Sequence, residues 1–145
     1  MDSKIFKKTV ANFLIGKGFS KKGSYYYLFF KDLAIVVGFQ KSNFSNDYYI
    51  NIGYVISELN SNLLTPRDVD GDVRARFSVE LEGKKVDSFN LDKLTVDMLI
   101  NAIDENIKHY VLEITSIEKL KLLLQENSIM LYQTKLAAKQ LLKLE

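Results

Sequence analysis

IVVGFQKSNFSNDYYINIGYVIS, residues 35–57, has the pattern of two β-strands joined by a polar turn. Side chains alternate between the two faces of a strand, so every second residue lies on the same side. Only a register of matching parity keeps both apolar sets on one side of the sheet. The simplest such register pairs Phe39 with Ile50, Val37 with Ile52, and Ile35 with Tyr54. Residues 34–42 and 48–57 are therefore predicted to form an antiparallel hairpin that buries one face.

The opposite face of this hairpin is neither apolar nor simply polar, and we call it the mixed face. The same register places Gln40 opposite Tyr49, Gly38 opposite Asn51, and Val36 opposite Gly53. Strands predicted at 25–30 and 73–81 add aromatic and arginine side chains to it. The candidate binding residues are Tyr25, Tyr27, Gln40, Tyr49, Asn51, Arg74 and Arg76.

Two interpretations of the glycines within these strands stay open. A glycine inside a strand often marks close approach of another segment, so Gly38 and Gly53 can make room for packing. Alternatively, the glycines form the floor of a shallow groove with aromatic walls and amide side chains, which holds a peptide segment or a small ligand.

Helical and strand periodicities alternate along the rest of the chain. Helices are predicted at 3–17 and from Thr95 to Tyr110, and Thr115-Ser116-Ile117-Glu118 has the form of a capping box that starts the last helix. A short fifth strand is predicted at 86–91. The result is a single α+β domain over 1–145: an antiparallel meander of four to five strands, with an N-terminal helix and two C-terminal helices on one face.

The last helix is predicted over 116–145 as one long element, unless Asn127-Ser128 breaks it. It carries more leucines than one buried stripe requires. Two roles are open for this surplus: packing within the chain, or contact with a partner, including a second copy in a homodimer.

Composition limits the classes of protein to consider. The chain has 145 residues, 47% of them hydrophobic and 26% charged, with no cysteine and a net charge of +2. A cytoplasmic protein with neither signal peptide nor membrane span is expected. Residues 1–47 hold eight lysines and three aspartates, which we interpret mainly as a solvated face.

The residue types of catalytic and metal sites are sparse. His109 is the single histidine, placed near a helix end where a cation suits the helix dipole, and there is no cysteine to complete a zinc site. The spacing of Asp68, Asp70 and Asp72 does not match an EF-hand calcium loop, because Gly71 precedes the third aspartate instead of following it. We therefore predict an exposed acidic turn at these residues. No catalytic residue, metal or cofactor is assigned, and a non-enzyme is favoured over an enzyme.

Four motifs occur in order: KGFSKKG at 17–23, YYY at 25–27, GFQKS at 38–42 and YINIG at 49–53. Together they resemble the bacterial domain-of-unknown-function family 4304, in which an arginine-containing strand falls where Arg74 and Arg76 lie. The tryptophan-rich continuation of that family is absent, since this chain has no tryptophan. The resemblance implies no established activity; the association of some members with toxin systems implies immunity-type binding proteins.

The expected function is therefore binding of a protein or peptide partner through the mixed face. The alternative is binding of RNA or single-stranded nucleic acid by the tyrosine- and lysine-rich strands, where bases stack on aromatic rings beside cations. This alternative is the less favoured one, because most aromatic residues alternate into the core and the isoelectric point is only about 8.6.

Overall fold

An antiparallel sheet flanked by helices forms the fold in a computed structural model that describes all 145 residues. The strands are β1 Ser20–Lys22, β2 Tyr25–Phe29, β3 Leu33–Lys41, β4 Asp47–Ile56, β5 Val73–Arg76, β6 Val79–Leu81, β7 Lys84–Val86 and β8 Phe89–Asn90. The helices are α1 Ser3–Gly16, α2 Val96–Tyr110, α3 Ile117–Glu126, α4 Ser128–Tyr132 and α5 Leu136–Leu141. The α+β class predicted from the sequence is confirmed.

The main sheet has the order β1-β2-β3-β4-β5, and β8 also pairs with β4. The predicted β3–β4 register is confirmed, because Phe39 pairs with Ile50 and Gly38 pairs with Asn51. β5 continues the same parity, with Arg76 opposite Asn51. The mixed face therefore exists as a continuous surface of β2, β3, β4 and β5.

All five helices contribute to the core on the apolar face of the sheet. From α1 come Phe6, Val10 and Leu14, which follow one another at helical spacing and are fully buried. The mixed face has only a small apolar cluster of its own: Tyr27, Ala34, Val36 and Val55. The helices therefore cover only the apolar face of the sheet.

Tyr54 links the centre of the sheet to the end of α2. Its ring is fully buried, and its hydroxyl donates to the carbonyl oxygen of Tyr110 at 2.6 Å. Burial, together with the nearby Tyr110, raises the pKa of Tyr54 well above its usual value of 10.0.

We expect this shift to appear as alkaline loss of stability. The unfolded chain releases the Tyr54 proton near pH 10, whereas the folded chain retains it, so the contribution is intact below about pH 10 and lost as pH rises further. The free energy of unfolding is measured by urea titration between pH 7 and 11. Tyr54→Phe should lower this free energy at pH 7, and should make it fall less steeply as the pH rises above 10. Tyr132→Phe, at an exposed ring, should keep the wild-type slope; equal slopes in all three proteins would contradict this assignment.

The strand predicted over 73–81 is divided in two. β5 ends at Arg76, and β6 pairs with β7 in a separate two-stranded sheet. At the break, the side chain of Asn106 accepts from the N–H of Ser78 at 2.9 Å and donates to its carbonyl oxygen at 2.7 Å. The alternating sequence of residues 73–81 does not reveal this break, because Asn106, which binds the backbone of Ser78, lies on α2, 28 residues further along the chain.

The long helix expected over 116–145 is instead three helices. Asn127 ends α3 and caps α4, with its side-chain oxygen accepting from the N–H of Met130 at 3.1 Å. A second break precedes α5, where Lys135 is the N-cap. None of the helices has the length and apolar character needed to cross a membrane.

Candidate functional site

Half of the mixed face is covered by the segment that connects β4 to β5, residues 57–72, which we call the crossing segment. The hydroxyl of Tyr27 donates to the carbonyl oxygen of Pro66 at 2.8 Å, and both residues are buried. Asp68 of the same segment is also buried against the sheet. Tyr25 and Tyr27 therefore pack beneath this segment, and burial raises the pKa of Tyr27.

The two strand glycines lie where this segment approaches the sheet. A Cβ atom at Gly53 would lie 2.6 Å from the carbonyl oxygen of Asp68, and one at Gly38 would lie 2.9 Å from the Tyr25 ring. Gly71 faces Gly53 from the other side, since a Cβ there would lie 2.8 Å from the Gly53 Cα. Both glycines therefore make room for packing. The shallow groove that the sequence suggested above them is filled by the Tyr25 ring and by residues 68–71.

The acidic turn predicted to be exposed is largely buried, which corrects the sequence interpretation. Asp72 accepts from the N–H of Ile56 at 2.8 Å and from the side-chain amide of Asn60 at 2.7 Å. Asp70 accepts from the N–H of Arg67, and this hydrogen bond lowers the pKa of its carboxyl group. The carboxylates satisfy backbone donors of β4 and of the crossing segment, which is the physical reason for their burial.

The other half of the mixed face is open and centres on Arg76. Its Nε donates to the side-chain oxygen of Asn51 at 2.9 Å, and one terminal nitrogen donates to Gln40 at 3.3 Å. Asn51 in turn donates to the same Gln40 oxygen at 3.1 Å. The guanidinium lies 4.1 Å from the centre of the Tyr49 ring. Four predicted site residues thus form one network that fixes the direction of the guanidinium.

A cleft of about 510 Å³ opens beside this network, and we call it the arginine cleft. Its sheet side is lined by Asn51, Arg74, Ala75, Arg76 and Asp87, and its helix side by Tyr110, Asn127, Ile129, Met130 and Gln133. Arg74 makes no ion pair, and Arg76 has only the exposed Asp87, at 3.7 Å. The cleft therefore offers two guanidinium groups against a single carboxylate.

The seven candidate residues fall into two groups. Gln40, Tyr49, Asn51, Arg74 and Arg76 lie at or beside the arginine cleft, whereas Tyr25 and Tyr27 lie under the crossing segment. Sequence reasoning missed the helix side of the cleft, above all Ile129 and Gln133. The Asn127-Ser128 dipeptide was the available signal, because a break there turns α4 toward β5.

A second cleft of about 590 Å³ lies between the β6–β7 hairpin and α2, and it shares Tyr110 with the arginine cleft. Its charged and ionisable side chains are Glu80, Lys85, Glu105 and His109. None of these four is held by a side-chain hydrogen bond or an ion pair. The arginine cleft is smaller, but its Arg76 guanidinium is oriented by neighbouring side chains, so it is the candidate site.

Metal ligation has no obvious location in the chain. No group of three or more His, Cys, Asp or Glu side chains is close enough together to hold a metal ion. His109 lies exposed in the last turn of α2, edge-on to the Tyr110 ring at 4.4 Å between ring centres.

Comparison with known proteins identified one family. The model described as "Domain of unknown function (DUF4304)" matches residues 10–117. This range extends from α1 through the sheet and α2 to the first residue of α3, and it contains both halves of the mixed face. Neither the curated proteins nor the solved structures gave a match.

Proposed function

The chain belongs to the DUF4304 family, and we propose that it is a non-catalytic binding protein that holds an acidic peptide segment of a protein partner in the arginine cleft. The observation that carries the proposal is the guanidinium of Arg76, which three neighbouring side chains orient at the edge of the cleft.

The orientation of Arg76 favours binding of a carboxylate. A guanidinium presents paired N–H donors that match the two oxygens of a carboxylate. Most of the rotamer freedom of Arg76 is already lost to Asn51, Gln40 and Tyr49, so less entropy is lost when a ligand binds.

The charges in the cleft also favour an acidic partner. The only carboxylate near Arg76 is Asp87, whose side chain is 59% exposed and lies 3.7 Å away. Exposed ion pairs of this kind contribute about 0–1 kcal/mol, so a carboxylate from a partner can displace Asp87 at little cost. Arg74 has no ion pair to lose.

The chemistry of the lining supports binding rather than catalysis. Amide and guanidinium side chains do not change protonation state near neutral pH and so are poor general acids or bases, and the cleft is lined mainly by these groups and by apolar side chains. The absence of cysteine suits a reducing bacterial cytoplasm. Among protein partners, a bacterial toxin is the first candidate, on the grounds of the family resemblance alone.

Substitution of the two arginines tests the proposal. The probe is a fluorescein-labelled peptide containing Val-Asp-Val-Asp-Val, compared with a Val-Asn-Val-Asn-Val peptide by fluorescence polarisation. We expect the acidic peptide to bind about tenfold more tightly than the amide peptide, and Arg74→Ala or Arg76→Ala to weaken it by about tenfold each. Gln40→Ala should weaken binding less, because Gln40 only orients Arg76.

Arg67→Ala is the matched control, since Arg67 is the third arginine of the chain and does not line the cleft. It should leave the affinity unchanged, and circular dichroism should show all four variants folded. Equal affinity for the acidic and amide peptides, or equal losses in all three arginine variants, would reject the arginine cleft as an acidic-peptide site.

Nucleic-acid binding remains the second candidate because of one observation. The lysines of α1 and β1 are exposed and form no ion pair. Against it, Tyr26 and Tyr27 are buried and cannot stack on bases. Binding of a uridine oligonucleotide that falls steeply with salt and survives both arginine substitutions would favour this second function.

A further inference from the structure

The outer edge of β5 is the one edge of the main sheet that faces the arginine cleft. β4 pairs with its inner side, and the N–H of Phe77 continues this ladder by donating to Ile50 at 2.9 Å. Backbone groups of successive residues point to opposite edges of an antiparallel strand. Arg74 and Arg76 consequently direct their N–H and C=O groups outward.

Both ends of this outer edge are closed by other parts of the chain. At one end, the backbone N–H of Lys135 donates to the carbonyl oxygen of Asp72 at 3.0 Å. At the other, the amide of Asn106 pairs with both backbone groups of Ser78, as a neighbouring strand would. Between these closures, the outward backbone groups of Arg74 and Arg76 have no hydrogen-bond partner in the chain.

The open edge and the arginine cleft coincide. Arg74, Ala75 and Arg76 line the cleft, whose volume of about 510 Å³ lies within the range of about 300–1,000 Å³ typical of ligand sites. The guanidinium groups lie on the mixed face beside the same edge. Unpaired backbone groups and paired positive charges thus face one cavity.

We propose that the partner segment binds in the arginine cleft as an added antiparallel strand on β5. This inference rests on the proposed function and specifies how the peptide is held. The ligand backbone pairs with Arg74 and Arg76, as in strand addition to other exposed sheet edges. Residues directly opposite each other in an antiparallel pair share a face, so carboxylates at every second ligand position reach the two guanidinium groups. The closures at Asp72 and Ser78 limit the paired ligand to a few residues.

Backbone methylation of the probe tests the pairing directly. Two versions of the Val-Asp-Val-Asp-Val peptide are made, one N-methylated at both aspartates and one at the two following valines. In the proposed pairing, the aspartate N–H groups donate to β5 and the valine N–H groups face away from it. We expect methylation at aspartate to weaken binding at least tenfold, and methylation at valine to change it less than threefold.

Amide hydrogen exchange of the protein gives a second readout. At saturating peptide, exchange of the Arg74 and Arg76 amides should slow at least tenfold, whereas the amide of Leu64, in an exposed loop, should be unchanged. Substitutions on α4 give a further test. Ile129→Glu places a carboxylate on the cleft wall and should weaken binding of the acidic peptide. Tyr132→Glu lies on the same helix but outside the cleft and should leave the affinity unchanged.

The outcomes separate the two proposals. Strand addition would be overturned if binding of the acidic peptide required both arginines but was unchanged by N-methylation at aspartate, with no slowing of exchange at the Arg74 and Arg76 amides. That result would leave the proposed function intact. Failure of the unmodified acidic peptide to bind folded protein at millimolar concentration would overturn both.

Discussion

Gly53→Ala is expected to lower the free energy of unfolding by about 2–3 kcal/mol, as overpacking of a tight contact does. The added methyl group would lie 2.6 Å from the carbonyl oxygen of Asp68 and 3.3 Å from the Cα of Gly71. Both are backbone atoms, so no side-chain rotation relieves the clash. The whole crossing segment has to move away from β4, together with the hydrogen bonds of Asp72.

Two other glycines provide controls, with urea unfolding followed by circular dichroism. Gly38→Ala should cost less, because the nearest atom belongs to the Tyr25 ring, which can rotate. Gly16→Ala adds a methyl group that meets nothing within 4 Å at the end of α1, and should stabilise by about 0.5 kcal/mol. A Gly53→Ala protein as stable as wild type would show that residues 68–71 do not rest on β4.

Asn106→Leu is expected to cost about 3 kcal/mol. The Asn106 side chain is 5% exposed and makes three hydrogen bonds, to the N–H of Ser78, the carbonyl of Ser78 and the carbonyl of Ala102. Leucine has nearly the same shape but leaves the backbone groups of Ser78 without partners, and each unsatisfied buried group costs about 1–3 kcal/mol.

Asn101→Leu is the matched control, since Asn101 lies on the same helix and is exposed. Its free energy of unfolding should differ from wild type by less than about 0.5 kcal/mol. Asn106→Leu should also speed exchange of the Ser78 amide. Unchanged exchange there, together with wild-type stability, would mean that Asn106 does not hold the break between β5 and β6.

The sheet was predictable from the sequence wherever one face is buried. In β3 and β4, a shift of one residue would expose Ile50 and Ile52, so alternation determined which residues share a face, and the simplest register with that parity is the observed one. The same alternation placed Gln40, Asn51 and Arg76 on one face of the sheet, provided that the fourth predicted strand joins it, as β5 does. α2 was equally clear, because Thr95 caps a helix whose apolar residues repeat at helical spacing.

The failures have two causes: local turns and caps that hydrophobic periodicity does not reveal, and contacts between residues distant in sequence. β1 has no apolar alternation, and its pairing with β2 depends on the turn at Gly23, where φ is +63°. The predicted acidic turn is buried because Asp72 finds donors in β4 and in Asn60. The helix side of the arginine cleft was missed because the leucine-rich C-terminus reads as one helix until Asn127 caps a new one.

The two closures of the β5 edge make different demands on evolution. The closure at Asp72 uses the backbone N–H of Lys135, so this hydrogen bond does not depend on the side chain at position 135 and is lost only with proline. The closure at Ser78 uses a side chain that must donate and accept at a fixed reach, which asparagine provides and glutamine exceeds by one methylene group. The boundary of the cleft at Asp72 therefore depends on a backbone group, whereas the boundary at Ser78 depends on the asparagine side chain at position 106.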